Sequence, residues 1–378
     1  MIEIVIGGDF CPVGVNKDPC VRGDAEAIFH SLLPVFLESD CSVINLEAPL
    51  IEEETPISKT GPVLGVPTGV ISGVKAAGID ILNLANNHIM DHGPRGLENT
   101  LTACHSRGIA TVGGGRDLAA ARKSIVQEYK GLKIALVGMA EHEFSIATES
   151  CGGANPLDLI SFARTMRDLR GQADFIIVLL HGGVENYPYP TPHLREICRF
   201  MAEEGAGAVI CQHTHCPGCY ETYRGSHLIY GQGNLLFDLP GRDRAWYEGF
   251  LVKLDLEKNQ SARMEIVPYL QSEREAGVRK MGVEEERKFR SLIEARSRNL
   301  AEEGFVVQQW LDYCRKMKKQ YLNGIQGYGR LLGRLNNKLH FPSCFRSKKS
   351  YRKQLNHIRC ESHREALLTI LDDKTRRN

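Results

Sequence analysis

An α/β fold is what this sequence predicts, and three observations predict it. Up to about residue 270, short apolar runs alternate with segments of helical spacing. Several of those helical segments run into a glycine, as a left-handed helix end requires. The last apolar runs follow one another with no long helix between them, which suggests an antiparallel part of a sheet.

The first strand is expected over Glu3–Gly7, in "MIEIVIG". Further strands are expected over Ser42–Leu46, Asp80–Leu84, Ala110–Val112, Lys133–Gly138, Phe175–Leu180, Ala208–Cys211, His227–Tyr230, Gly249–Leu254 and Arg263–Val267. Helices are expected over Asp24–Leu37, Thr68–Ala77, Gly93–Arg107, Leu157–Arg170 and Pro192–Glu204. Gly78, Gly108, Gly171 and Gly205 close four of them. Beyond Ser272 the pattern changes to charged, Leu-spaced helical sequence from about Val283 to Tyr321. A Gly-punctuated stretch follows, and then the basic, aromatic-interleaved "HFPSCFRSKKSYRKQ" of residues 340–354. Two regions result: a layered unit over 1–270 and a basic, mostly helical appendage over 271–378.

A chain of 378 residues that is 42% hydrophobic and 25% charged has the composition of a soluble globular protein. No run approaches the roughly 18 uninterrupted apolar residues of a membrane span. No basic stretch leads into an apolar segment at the N-terminus, so cytoplasmic placement is expected. The twelve cysteines follow no framework and are read as reduced thiols. Cys216 and Cys219 have redox-motif spacing, but they do not open a helix after a first strand, and an incidental loop pair is the favoured reading. The net charge of +1 hides a polarised chain: residues 271–378 carry about +12 and residues 1–270 about −11. Such a tail is most often solvated or docked on the acidic part. An anionic membrane surface is the next reading, with attachment at the membrane periphery, and nucleic acid the least favoured.

The chemistry lies where apolar runs end. They hand over Asp9 in "GGDFCPVG", Asn45 and Glu47 in "VINLEAPL", and Asn86, Asn87, His88, Asp91 and His92 in "LANNHIMDHG". Two later runs deliver His181 and Glu185, then His213 and His215. In open α/β sheets ligands bind at the carboxyl ends of strands, so these groups are expected to converge in one crevice. Imidazoles with carboxylates and an amide carbonyl suit two divalent transition metals such as Mn, Fe or Zn, with the Glu bridging. A lone His at a strand end is usually a hydrogen-bonded boundary residue; five strand ends of this kind favour a shared site.

These motifs, with "LHGGVENY", "HTHCPG" and "IYGQGNLLFD", occur in the order and spacing of the CapA/PgsA capsule-synthesis (poly-γ-glutamate biosynthesis) family. That family resembles a branch of the calcineurin-like metallophosphoesterases. Over about residues 2–240 the resemblance implies a four-layer α/β/β/α sandwich with a two-metal site. It implies Asp9, Glu47, Asn87, His181, His213 and His215 as metal ligands and His88 as general acid. Asn86 is expected to shape the turn, Asp91 to orient the His88 ring, and both, with Glu185 and Asn234, to border the substrate, while Gly93 is structural. Three departures stand out: Phe10 and Cys11 follow Asp9 where Asp-x-His is usual, Glu47 replaces a bridging Asp, and Gln212 precedes the His-x-His pair where Gly is usual.

Two functional classes follow. One is a metal-dependent hydrolase acting on a phosphoester or on an amide of an anionic surface polymer. The other is a non-hydrolytic metal- or polymer-binding subunit that works with other capsule-synthesis proteins. The missing His favours the second, and the intact Asn-His and His-x-His pairs favour the first.

Overall fold

The alternation in the first strand decides the layering. In a computed structural model that describes residues 1–59, 61–258, 260–271, 275–325, 330–339 and 358, Ile2, Ile4 and Ile6 point into one core and Val5 into another. Successive side chains of a strand face opposite sides of its sheet, so one strand serves two layers.

Among the described residues, fourteen strands build the two large sheets. They are β1 (Ile2–Cys11), β2 (Cys41–Leu46), β3 (Ile81–Asn83), β4 (Ala110–Val112), β5 (Ile125–Tyr129), β6 (Leu132–Ala140) and β7 (Phe175–His181). The rest are β8 (Ala208–Gln212), β9 (Tyr220–Tyr223), β10 (Ser226–Tyr230), β11 (Asn234–Phe237), β12 (Glu248–Leu256), β13 (Arg263–Gln271) and β14 (Val278–Lys280). The first sheet has the order β14-β13-β12-β1-β2-β3-β4, with β11 pairing the end of β1. Strands β1 to β4 run parallel, and β12, β13 and β14 are antiparallel. The second sheet has the order β9-β10-β8-β7-β6-β5, parallel in its middle and antiparallel at both edges.

Three cores separate four layers. Between the sheets, Ile4, Ile6, Val43 and Ile81 of the first meet Ile134, Leu136, Ile177, Leu179 and Ile210 of the second. Outside the first sheet, Val5, Ile44 and Leu82 pack with Ile28, Phe29, Phe36, Val74 and Leu97 of helical segments. Outside the second, Val137, Val178 and Leu180 pack with Phe162 and Met166 of the helix Leu159–Leu169, and with Leu194, Ile197 and Met201 of the helix Pro192–Glu203. This is the expected α/β/β/α sandwich.

Two local expectations are corrected. The single helix over 24–37 is divided into Ala25–Phe29, the 3-10 turn His30–Leu32 and Leu33–Glu38, with His30 at φ 40°. Pro34 supplies a reason, because it has no N–H for a continuous helix to use. Strands β5, β9, β11 and β14 were not expected. They are short, and β5 has only partly covered alternate residues, so the apolar signal is weak.

The first compact unit, Met1–Gln309, also runs past the boundary expected near 270. The helix Val283–Asn299 sends Phe289 and Ile293 into the inter-sheet core, and Leu300 and Val306 enter the outer core of the second sheet. At about 1.5–3 kcal/mol for each large apolar side chain, that burial ties the segment to the sandwich. Residues Trp310–Asn378 form the second unit. The basic stretch 340–354 lies outside the described residues. Among the described residues, no helix is long and apolar enough to cross a membrane.

Candidate metal centre

The parallel strands of both sheets deliver their ends to one place. Asp9 lies in β1 opposite Asn45 of β2, and Glu47 follows β2. Asn87 and His88 follow β3, His181 ends β7, and His213 and His215 follow β8. Gly8 makes room here: a Cβ on it would stand 2.0 Å from the carbonyl oxygen of Gly233, just before β11. The two histidines after β8 turn inward on left-handed backbone, His213 at φ 94° and His215 at φ 53°. Non-glycine residues rarely adopt that conformation, and it clusters at functional sites.

Two donor groups result: Glu47 with His181 and His213, and Asp9 with Glu47 and His215. Glu47 Oε1 lies 3.6 Å from His181 Nε2 and 3.7 Å from His215 Nε2, so it stands between the groups. Asp9 Oδ2 is 3.6 Å from His215 Nδ1. His181 Nε2 also lies 3.1 Å from Asn87 Oδ1 and 3.1 Å from His213 Nδ1. All six residues expected as ligands are therefore neighbours, and all are buried.

Burial works against every charge in this cluster. It pushes Asp9 up to about 7, against hydrogen bonds from the Asn45 amide and the His213 N–H. Glu47 is raised well above the carboxylate range, by burial first and then by Asp9, Glu185, Glu143 and Asp91. Burial holds His181 well below its usual range and lowers His213, and it takes His215 down to about 3. Both carboxylate oxygens of Glu47 are buried with no hydrogen-bond partner among the described residues. Buried charges are paired or coordinate metals, and a cation would favour the ionised carboxylates and neutral imidazoles together. The donor set fits divalent transition metals.

Beside the donors lies a buried network that the sequence shows only in part. His88 Nδ1 is 2.6 Å from Asp91 Oδ2, which also accepts the Leu64 N–H at 2.7 Å. Asp91 Oδ1 accepts from Lys59 Nζ at 2.5 Å, and the side chains of Lys59 and Asp91 are 2% and 0% exposed. Lys59 comes from a polar loop with no local signal of such a role. Glu143 was also missed: its Oε1 is 3.7 Å from His213 Nε2, and its Oε2 accepts from the Asn87 amide at 3.2 Å. The signal for Glu143 was readable, because β6 ends in "AEHEF", a sixth strand exit rich in ligand types.

Three residues expected to border the substrate have other partners. Asn86 is fully buried; its amide donates to the Leu46 carbonyl at 2.8 Å, and its oxygen accepts the His88 N–H. That makes Asn86 the residue that sets the turn. Asp91 is fully buried on Lys59, His88 and Leu64, and Asn234 Oδ1 lies 2.8 Å from His215 Nδ1 while its amide donates to the Trp246 carbonyl. Asp91 holds the His88 ring and Asn234 that of His215. Glu185 is exposed at the site's edge, near enough for its charge to act on Glu47 and His213.

The departures also have physical places. Gln212 ties the sheets together by donating to the Gly7 carbonyl at 2.9 Å and accepting from the Asn83 amide at 3.3 Å. Phe10 stacks on Phe29 in the outer core. Cys11 lies outside both donor groups, and burial with the nearby carboxylates pushes its thiol well up. Cys216 and Cys219 are buried, and burial pushes Cys216 up to about 12 and Cys219 higher still, the reverse of a reactive redox pair.

Residues 3–239 match the family described as "Bacterial capsule synthesis protein PGA_cap". The chain belongs to that family. It is 29% identical over 248 residues to the "PGA biosynthesis protein CapA" of Bacillus subtilis (strain 168), covering 65% of each chain. It is 28% identical over 261 residues to the "Capsule biosynthesis protein CapA" of Bacillus anthracis, covering 67% of this chain and 63% of that one. The chain thus spans somewhat less than two thirds of the length of these curated relatives. Among solved structures it resembles the calcineurin-like phosphoesterase YfkN from Bacillus subtilis, at 13% identity and a TM-score of 0.42, over 86% of this chain and 98% of that one. At that score, the layer order of this family member rests on its own three cores.

Proposed function

We propose that this capsule-synthesis family member is a metal-dependent hydrolase acting on a phosphoester, or on an amide within an anionic cell-surface polymer. The observation that carries the reading is Glu47, shared by two donor groups and buried with both oxygens lacking a hydrogen-bond partner. Asp9, Glu47, Asn87, His181, His213 and His215 would hold two divalent ions, which when bound supply Lewis acidity to a displacement by water. His88 is the proton donor. Asp91 fixes the ring through Nδ1, and this leaves Nε2 to protonate the leaving group. Asn87 keeps one amide end toward His181 and the other on Glu143. Capsule-synthesis proteins are its proposed partners, a reading supported by the family description. Cytoplasmic placement is supported by ten described cysteines that are all free thiols, most of them buried.

A non-hydrolytic polymer-binding subunit is the second reading, and one observation favours it. Cys11, two residues after Asp9, adds nothing to either donor group. Elemental analysis of protein reconstituted with Mn, Fe, Co or Zn, followed by ester hydrolysis, separates the two. The hydrolase reading expects bound metal and turnover. In His88→Gln, metal content should stay near wild type. Turnover of an ester with a poor leaving group should then fall roughly 10²–10⁴-fold, and that of a nitrophenyl ester much less. Metal-free protein after every reconstitution, or equal losses on both esters, refutes the assignment.

A further inference from the structure

The rim of the metal centre carries an arginine that no motif marks. Trp246 is buried, its indole N–H donates to the Phe237 carbonyl at 2.8 Å, and its ring centroid lies 4.7 Å from that of His215. The Arg242 guanidinium is laid over the same indole, 4.5 Å from its centroid. Arg242 itself is exposed, and among the described residues its one contact of this kind is the indole. Arg244, two residues on, is paired with Glu248.

Around it the site is acidic, with Asp9 and Glu47 against His215 and Glu143 against His213. A fixed cation at the edge gives an anionic group a partner that the carboxylates there do not. A guanidinium stacked on an aromatic face loses little freedom on binding, and its planar fork matches a carboxylate or a phosphate with two parallel hydrogen bonds.

We infer that Arg242, held on Trp246 at the rim of the metal centre, is an anion subsite that receives a carboxylate or phosphate group flanking the bond to be cleaved. The inference rests on the hydrolase reading for the words about cleavage; the binding of the anion is independent of it.

Calorimetric titration of Mn-reconstituted full-length protein with inorganic phosphate and, separately, with glutarate tests it. Arg242→Gln should weaken binding about 10–100-fold, the loss expected for charge-assisted hydrogen bonds, with metal content unchanged. Arg242→Lys should recover only part, because an ammonium lacks the fork. A loss confined to phosphate names a phosphoester as the ligand, and a loss confined to glutarate names a carboxylate polymer. Equal affinity in wild type and Arg242→Gln overturns the inference, as does failure of both anions to bind the wild type. If Arg242→Gln weakens binding in a protein that hydrolyses no ester, the subsite stands and the hydrolase reading falls. If esters are hydrolysed and binding is indifferent to Arg242, the reverse holds.

Discussion

Replacing Glu47 with methionine should change stability in opposite directions with and without metal. Both Glu47 oxygens are buried with no hydrogen-bond partner, and neighbouring carboxylates add repulsion. Leaving a buried polar group unsatisfied costs about 1–3 kcal/mol, and an apolar chain of similar length removes that cost. In EDTA the variant should therefore be more stable than wild type by about that amount. For a unit the size of Met1–Gln309 this corresponds to a rise of roughly 2–5 °C in Tm. Metal reverses the order. At a hundred times Kd, each bound ion stabilises the folded state by about 2.7 kcal/mol. Glu47 belongs to both donor groups, so the variant should lose most of that gain. Differential scanning calorimetry at pH 7, in EDTA and in Mn, reads both halves. The reasoning is refuted if Glu47→Met melts lower than wild type in EDTA, or if it keeps the full metal-dependent shift.

Two further outcomes follow from the packing. Lys59→Met removes one partner of a buried ion pair and leaves the Asp91 carboxylate enclosed, so urea unfolding should show a loss of about 3–5 kcal/mol; a change under about 0.5 kcal/mol, the range usual for a surface site, would sink the pair as a structural element. A chain ending at Gln309 should keep a cooperative melt, whereas one ending at Gln271 loses Phe289, Ile293, Leu300 and Val306. At about 1.5–3 kcal/mol each, that is most of a domain's net stability, and thermal circular dichroism should show the shorter chain unfolded. An unchanged melt of the shorter chain would return the boundary to about residue 270.

Much of this protein is legible in short windows of its sequence, because the signals involved are local. Alternation with period two in "IEIVI" marks a strand, and a strand between a sheet and a helical layer must be apolar on both faces. The parallel strands of "CSVINL" and "FIIVLLH" show this as continuous apolar runs. The ligand types at strand exits are equally local: Asp9, Glu47, Asn87, His181, His213 and His215 stand out because a core strand has no other use for them. What tertiary structure decided involves residues far apart in the chain. Lys59 reaches Asp91 across 32 residues, and Glu143 meets Asn87 across 56. Phe289 fills a gap between sheets whose last strand ends at Lys280. Burial was decided there too. The sequence names Asn86, Asp91 and Asn234, but only the fold shows which protein groups take their hydrogen bonds. Arg242 reads as one charge among many, until the fold sets Trp246 beneath it and His215 against that indole. A side chain's type is written in the sequence, whereas its solvent, its partners and its free face are set by which strand ends the two sheets bring together.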